Sequence, residues 1–149
     1  MHAHKQIEIA VSREEAFALA SDLERWPEFL PHYRSNEFLT RAPGGDGGIV
    51  KMACVRSGIP LSWVSVYRAD AARLQMRFQH LKPLTRGMEV RWEFTPSPHG
   101  VRVEIIHDFE LDWPLVGPWI ADAVVGRFLI DHVAGLTLEG LKARLEGGS

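Results

Sequence analysis

His107 stands in the row Val101, Val103, Ile105, His107, Phe109 and Leu111, every second residue of the stretch GVRVEIIHDFEL. Alternate residues of a strand share a face, so this spacing puts an imidazole on an otherwise apolar surface. Two neighbouring stretches repeat the anomaly. Ser65 and Tyr67 follow Leu61 and Trp63 on one parity of residues 60 to 68, and His80 follows Leu74, Met76 and Phe78 on one parity of 72 to 80. Tyr33, just beyond Pro27 and Pro31, is a further candidate. Burying any such group without a partner costs about 1 to 3 kcal/mol, so they must meet one another, ordered water or a ligand. The chemistry they offer is specific. An imidazole with a reference pKa of about 6.5 exchanges protons near neutrality, and a phenol donates a hydrogen bond to a carbonyl. His107 could therefore exchange a proton with a bound molecule whose carbonyl Tyr33 or Tyr67 polarises. With no proton transfer, the same groups would orient a bound ring system.

The elements that must position these residues follow from periodicity. Residues 4 to 11 place Ile7, Ile9 and Val11 on one parity, as a first strand would. Ser12 followed by Glu15 has the form of a capping box ahead of an apolar helical run. Pro27 and Pro31 predict a break near Asp22 and a short second helix leading to Tyr33. From Tyr33 to Leu111 the period is two, punctuated at PGGDGG, SGIP, RADAA, KPLTRG and TPSPHG. That predicts six consecutive strands, 33–42, 49–56, 60–68, 72–80, 88–95 and 100–111, in an antiparallel meander. Met88, Val90, Trp92 and Phe94 oppose Glu89, Arg91 and Glu93, so charge faces water. Strand 33–42 shows no clean split, and Cys54 shares inward parity with Val50 and Met52. Beyond Pro114 the period is helical, through Val116, Trp119, Ile120, Phe128, Val133, Leu141 and Leu145, with Gly126, Gly135 and Gly140 lowering propensity by roughly 1 kcal/mol each. Only packing would hold so long a helix together. A curved sheet wrapped around it buries both apolar faces, and the first helix pair covers the open side.

Composition narrows the function. The 149 residues form one domain's worth of chain, 1–149. A formal net charge of -2 and a pI near 6.4 supply no basic field for nucleic acid. One cysteine, no signal-like apolar run and no stretch of membrane-span length predict a cytoplasmic protein with no membrane span. GGDGG lacks the Lys-Ser/Thr of a phosphate loop and reads as a hairpin tip. The histidines lack ligand spacing, so no metal site and no cofactor are expected, and Cys54 has no evident base beside it. Trp26, Trp63, Trp92, Trp113 and Trp119 fill a core or wall a cavity.

The ordered set DLERWPEFLPHY, LSWVSVY, EVRWEF and VEIIHDFEL, ahead of a long final helix, resembles the polyketide cyclase/dehydrase branch of the START-like (SRPBCC, Bet v 1-like) superfamily over nearly the whole chain. The resemblance implies an α+β helix-grip fold: a seven-stranded curved antiparallel sheet around the C-terminal helix, two short helices after the first strand, and a deep apolar cavity. It also implies that Trp26, Tyr33, Trp63, Ser65, Trp92 and His107 line that cavity. Bacterial aromatase/cyclases of this branch typically carry an arginine where Tyr67 stands, and Arg68 has outward parity. The expected function is binding of a small aromatic, polyketide-, quinone- or lipid-like molecule, with polyketide aromatase/cyclase activity as the alternative. Met76, Phe78, His80 and Trp119 complete the expected ligand-binding set, with Tyr33, Tyr67 and His107 as the catalytic candidates. Sites for drug-sized molecules hold roughly 300 to 1,000 Å³. Sequence leaves monomer and homodimer open.

Overall fold

The computed structural model of the protein describes residues 2–56, 58–82, 88–108 and 133–147. Strands β1 (His2–Ile9), β2 (Tyr33–Arg41), β3 (Gly47–Arg56), β4 (Ile59–Asp70), β5 (Gln75–Lys82), β6 (Glu89–Ser97) and β7 (Gly100–Asp108) are joined in one curved antiparallel sheet. Their spatial order is β1-β7-β6-β5-β4-β3-β2. The meander from β2 to β7 is as expected, and β1 adds to its far edge by pairing Ile9 with Val101 and Ile7 with Val103. Helix α1 (Arg13–Ala20) begins at the expected cap, the Glu15 amide donating to Ser12 Oγ at 3.1 Å. A single 3-10 turn (Leu23–Arg25) and α2 (Trp26–Phe29) follow. Pro27 sits in the first turn of α2, where its missing N–H is not needed.

Inward parity is observed along β3, β4, β5, β6 and β7, and it collects the buried aromatic and aliphatic side chains on the concave face. The absence of a clean split in β2 has a structural cause. Register shifts fall between Tyr33 and Ser35 and between Phe38 and Thr40. The first bulge lets Tyr33 and Asn36 both point inward, opposite Cys54 and Met52. One expectation is corrected in β5. Asp70 Oδ1 accepts from the amides of Ala72 and Arg73, each at 3.1 Å, and Leu74 takes a positive φ of 53°. These features make 71–74 a turn, so the strand starts at Gln75 and Leu74 is only half-buried.

Helix α3 (Gly135–Glu146) closes the concave face with Thr137, Leu138 and Leu141. Two contacts tie its end to β1: Lys142 Nζ donates to the Glu8 carbonyl at 2.7 Å, and the Ala10 amide donates to Glu146 Oε2 at 2.9 Å. At Gly140 the helix comes so near α2 that a Cβ would overlap the Leu30 side chain. The expected helical positions from Val116 to Phe128 lie outside the described residues, as do Phe109, Leu111 and Trp113. No helix among the described residues is long and apolar enough to cross a membrane.

The β2–β3 turn depends on Gly48, which has φ +148° and faces the Thr40 carbonyl so closely that a Cβ would collide with it. We expect Gly48→Ala to lower unfolding free energy by about 3 kcal/mol, combining backbone strain with that clash. Urea unfolding of the two proteins side by side checks this, and a loss under about 1 kcal/mol would refute it.

Candidate functional site

A partly open cavity of about 50 Å³ lies between the concave face and the start of α3. Its wall takes Trp26 from α2, Tyr33 and Met52 from β2 and β3, Trp63 from β4, Phe78 and His80 from β5, Trp92 from β6, and His107 from β7. Val133, Ala134 and Thr137 close it from the helix side. The volume lies well below the range for sites of drug-sized molecules, and ring packing is the reason. Trp63 and His80 stack at 5.9 Å with planes 10° apart; Trp26 meets Tyr33 edge-on at 5.0 Å and Trp92 at 5.6 Å. Rings occupy much of the space between sheet and helix.

Each polar group on the wall has a distinct state. Trp26 Nε1 donates to the Ala20 carbonyl at 3.0 Å, which fixes the indole and leaves its ring to the cavity. Burial pushes the Tyr33 phenol well above its usual range, the neighbouring Cys54 adds to this, and a hydrogen bond with Thr137 offsets part of it. Burial likewise lowers His80 to about 3, with His107 contributing, and lowers His107 to about 4, which Asp108 partly opposes. Both imidazoles are neutral at pH 7. His107 Nδ1 is buried and has no hydrogen-bond partner among the described residues. Cys54, pushed up to about 11 by burial, is a thiol and a poor nucleophile at neutral pH.

A family model described as polyketide cyclase/dehydrase and lipid transport matches residues 9–128. The chain belongs to this family. A proposed polyketide cyclase from Streptomyces cyaneus is 31% identical over 112 residues, which cover 74% of this chain and 73% of that one. An aromatase/cyclase from Streptomyces sp. R1128 superposes with a TM-score of 0.85 at 16% identity, over 98% of this chain and 93% of its own. A START superfamily protein from Mycobacterium smegmatis gives 0.75 at 21% identity, over 99% of both chains. At these identities the two structures speak for the helix-grip fold.

The site residues expected from the sequence are not all brought together. Trp26, Tyr33, Trp63, Phe78, His80, Trp92 and His107 meet at the cavity. Ser65, Tyr67 and Met76 point inward and are buried, yet they do not line it. Tyr67 donates to the Ser21 carbonyl at 3.4 Å behind α1 and packs on Phe78 at 4.8 Å, and burial holds its phenol protonated. Ser65 lies in register between Val50 and His80, its hydroxyl buried and without a partner among the described residues. Trp119 lies outside the described residues. Thr137 and His32 were not among the sequence candidates. Thr137 continues the buried stripe Val133, Thr137, Leu141 at four-residue steps, a signal that was available; half-buried His32 had none.

Because His80 and His107 titrate lower in the folded protein than in the unfolded chain, the unfolded chain binds protons first as pH falls. Their contribution to stability is complete above about pH 6.5 and is lost on the way down to about pH 4 for His107 and about 3 for His80, by up to ~1.4 kcal/mol per pH unit for each. Carboxylates add the same slope to wild type and variant alike. Unfolding free energy measured at pH 6 and pH 5 should therefore fall less steeply in His107→Gln than in wild type, by about 1 kcal/mol per pH unit. Parallel slopes would show that the imidazole titrates normally.

Proposed function

We propose that this protein binds a small, uncharged aromatic molecule of polyketide type in the cavity between the sheet and α3. One observation carries the reading: His107, whose Nδ1 is buried without a partner among the described residues, lines a cavity walled by three indoles. A ligand hydroxyl or carbonyl there would meet whichever role the imidazole tautomer leaves to Nδ1. The surrounding groups are neutral at pH 7, so an uncharged ring is accepted at lower desolvation cost than a carboxylate. A ligand ring gains room when His80 turns from the Trp63 face and the ring takes its place in the stack. Membership of a family that includes lipid transport agrees with a carrier role.

Family membership and the Streptomyces cyaneus relative favour a second reading, aromatase/cyclase chemistry in the same cavity. Tyr33, held protonated, would polarise a ketone while His107 takes the adjacent carbon-bound proton. An imidazole titrating near 4 is a weak base at neutral pH, which is why binding is preferred. Under this second reading His107→Gln removes cyclisation of a linear poly-ketone and leaves its binding intact; unchanged turnover would exclude that role.

Binding is read by quenching of tryptophan fluorescence during titration with 1,8-dihydroxyanthraquinone. Ala134 lines the cavity, so Ala134→Val places two more methyl groups in the space the ligand needs. Wild type should saturate, and the variant should bind at least about tenfold more weakly, a loss of ~1.4 kcal/mol, while keeping its far-UV spectrum. Equal affinity in the two proteins would place the ligand elsewhere.

A further inference from the structure

Ser65 is fully buried, and its hydroxyl has no partner among the described residues. A polar group left so in a native interior calls for an explanation. In register across the sheet, Ser65 stands between Val50 and His80. Val50 is apolar, and the Tyr67 hydroxyl, two residues along β4, is used on the Ser21 carbonyl. The polar side chain in the row is that of His80. Side chains directly opposite on antiparallel strands have Cβ atoms about 5 Å apart, against about 7 Å for diagonal neighbours. Yet the His80 imidazole lies over its diagonal neighbour, stacked on Trp63 at 5.9 Å with planes 10° apart. A bulge stands at this point: Val64 pairs with Lys82 and Ser65 with His80, so Leu81 is an extra residue beside His80, and bulges re-aim the side chains next to them. The His80 amide donates to the Met88 carbonyl at 2.9 Å. Its backbone is thereby held, and rotation about its side-chain bonds is what separates a position over Trp63 from one over Ser65.

We infer that Ser65 receives the His80 imidazole when a ligand ring displaces it from Trp63, so that the two residues form a gate with a closed position, stacked on the indole, and an open one, hydrogen-bonded to Ser65. This rests on the proposed binding function and deepens it by naming the residue that stabilises the open site. A hydroxyl both donates and accepts, so Ser65 suits either tautomer of the imidazole, which is neutral at pH 7. The new hydrogen bond satisfies a hydroxyl that is unpartnered in the closed position, which offsets the lost stack. A ring binds the open form alone, so its apparent affinity scales with the fraction of protein that is open. Ser65 acts through His80 and is a positioning residue.

Two measurements test the gate. In the first, 1,8-dihydroxyanthraquinone is titrated by tryptophan quenching into wild type, Ser65→Ala, His80→Ala and the double variant. Ser65→Ala should weaken binding about fivefold, the loss of one neutral hydrogen bond. His80→Ala, in which nothing has to turn, should bind at least as tightly as wild type. In that background Ser65→Ala should change affinity by less than about twofold, since the two residues act as one unit. Equal affinity of Ser65→Ala and wild type, or the same loss in both backgrounds, overturns the gate while leaving the binding function intact. The second measurement needs no ligand. In a crystal structure of Trp63→Ala the imidazole, deprived of its stack, should stand within about 3.2 Å of Ser65 Oγ, and an imidazole held elsewhere overturns the gate. Failure of wild type to bind the anthraquinone overturns the binding function itself, and the structure without ligand then decides the gate.

Discussion

The approach of α3 to the end of α2 is the constraint on which the cavity depends. Glycine in a helix interior costs about 1 kcal/mol relative to alanine, and Gly140 incurs that cost where any side chain would meet Leu30. The gain is positional. As the chain leaves α2 it runs past α3 in the opposite sense, so that Leu30 meets Gly140 and, two residues on, His32 meets Thr137. Together with the ties from Lys142 and Glu146 to β1, this fixes α3 at both ends of its buried stripe. Val133, Ala134 and Thr137 are thereby held over the aromatic wall of the sheet.

The interior is mostly apolar, and the titratable groups buried in it are held in their neutral forms. Burial raises the two phenols and the thiol and lowers the two imidazoles, each shift favouring the neutral form. The charged side chains are kept to the other face of the sheet, where pairs such as Arg91–Glu93 and Arg102–Glu104 are partly exposed and contribute little to stability. Five buried side-chain polar atoms, Arg13 Nε, Asn36 Oδ1, Ser65 Oγ, Ser97 Oγ and His107 Nδ1, are without partners among the described residues. A buried group left so carries a cost of about 1 to 3 kcal/mol. They differ in consequence, since of these five residues only His107 lines the cavity.

Much of the fold was legible because a strand writes its two faces into alternate residues. Trp63 and Tyr67, Phe78 and His80, Trp92 and Phe94 all lie where parity put them. Parity failed in β2 because a bulge shifts the count by one, and nothing local in YRSNEFLTR marks where the extra residue falls. It failed at Leu74 because an Asp70 side-chain turn outcompetes strand pairing. The site was only half legible for a different reason. Parity tells which face a residue occupies, but the concave face extends well beyond the cavity. Ser65 and Tyr67 share that face outside the cavity, Tyr67 reaching the Ser21 carbonyl at the end of α1, while His107 and His80 line the cavity. Knowing which is which requires the placement of helices, set by contacts such as Gly140 with Leu30 that are far apart in sequence. His32 enters the cluster through the same contact.

The small volume of the cavity bears on how selectivity arises under the proposed function. A void of about 50 Å³ has room for a few water molecules but not for a fused ring system. A ring can enter only by replacing side-chain surface that already packs against ring surface, as the His80 imidazole packs on Trp63. Exchanging one stacked ring for another changes buried apolar area and dispersion contacts little, so the walls give modest discrimination among aromatic molecules. The few polar atoms are different, because a buried acceptor left unmatched costs more than a matched one gains. Under the proposed function, discrimination among rings of similar shape therefore falls to the polar groups of wall residues such as His107 and Tyr33, and the aromatic residues that dominate the wall set size and flatness.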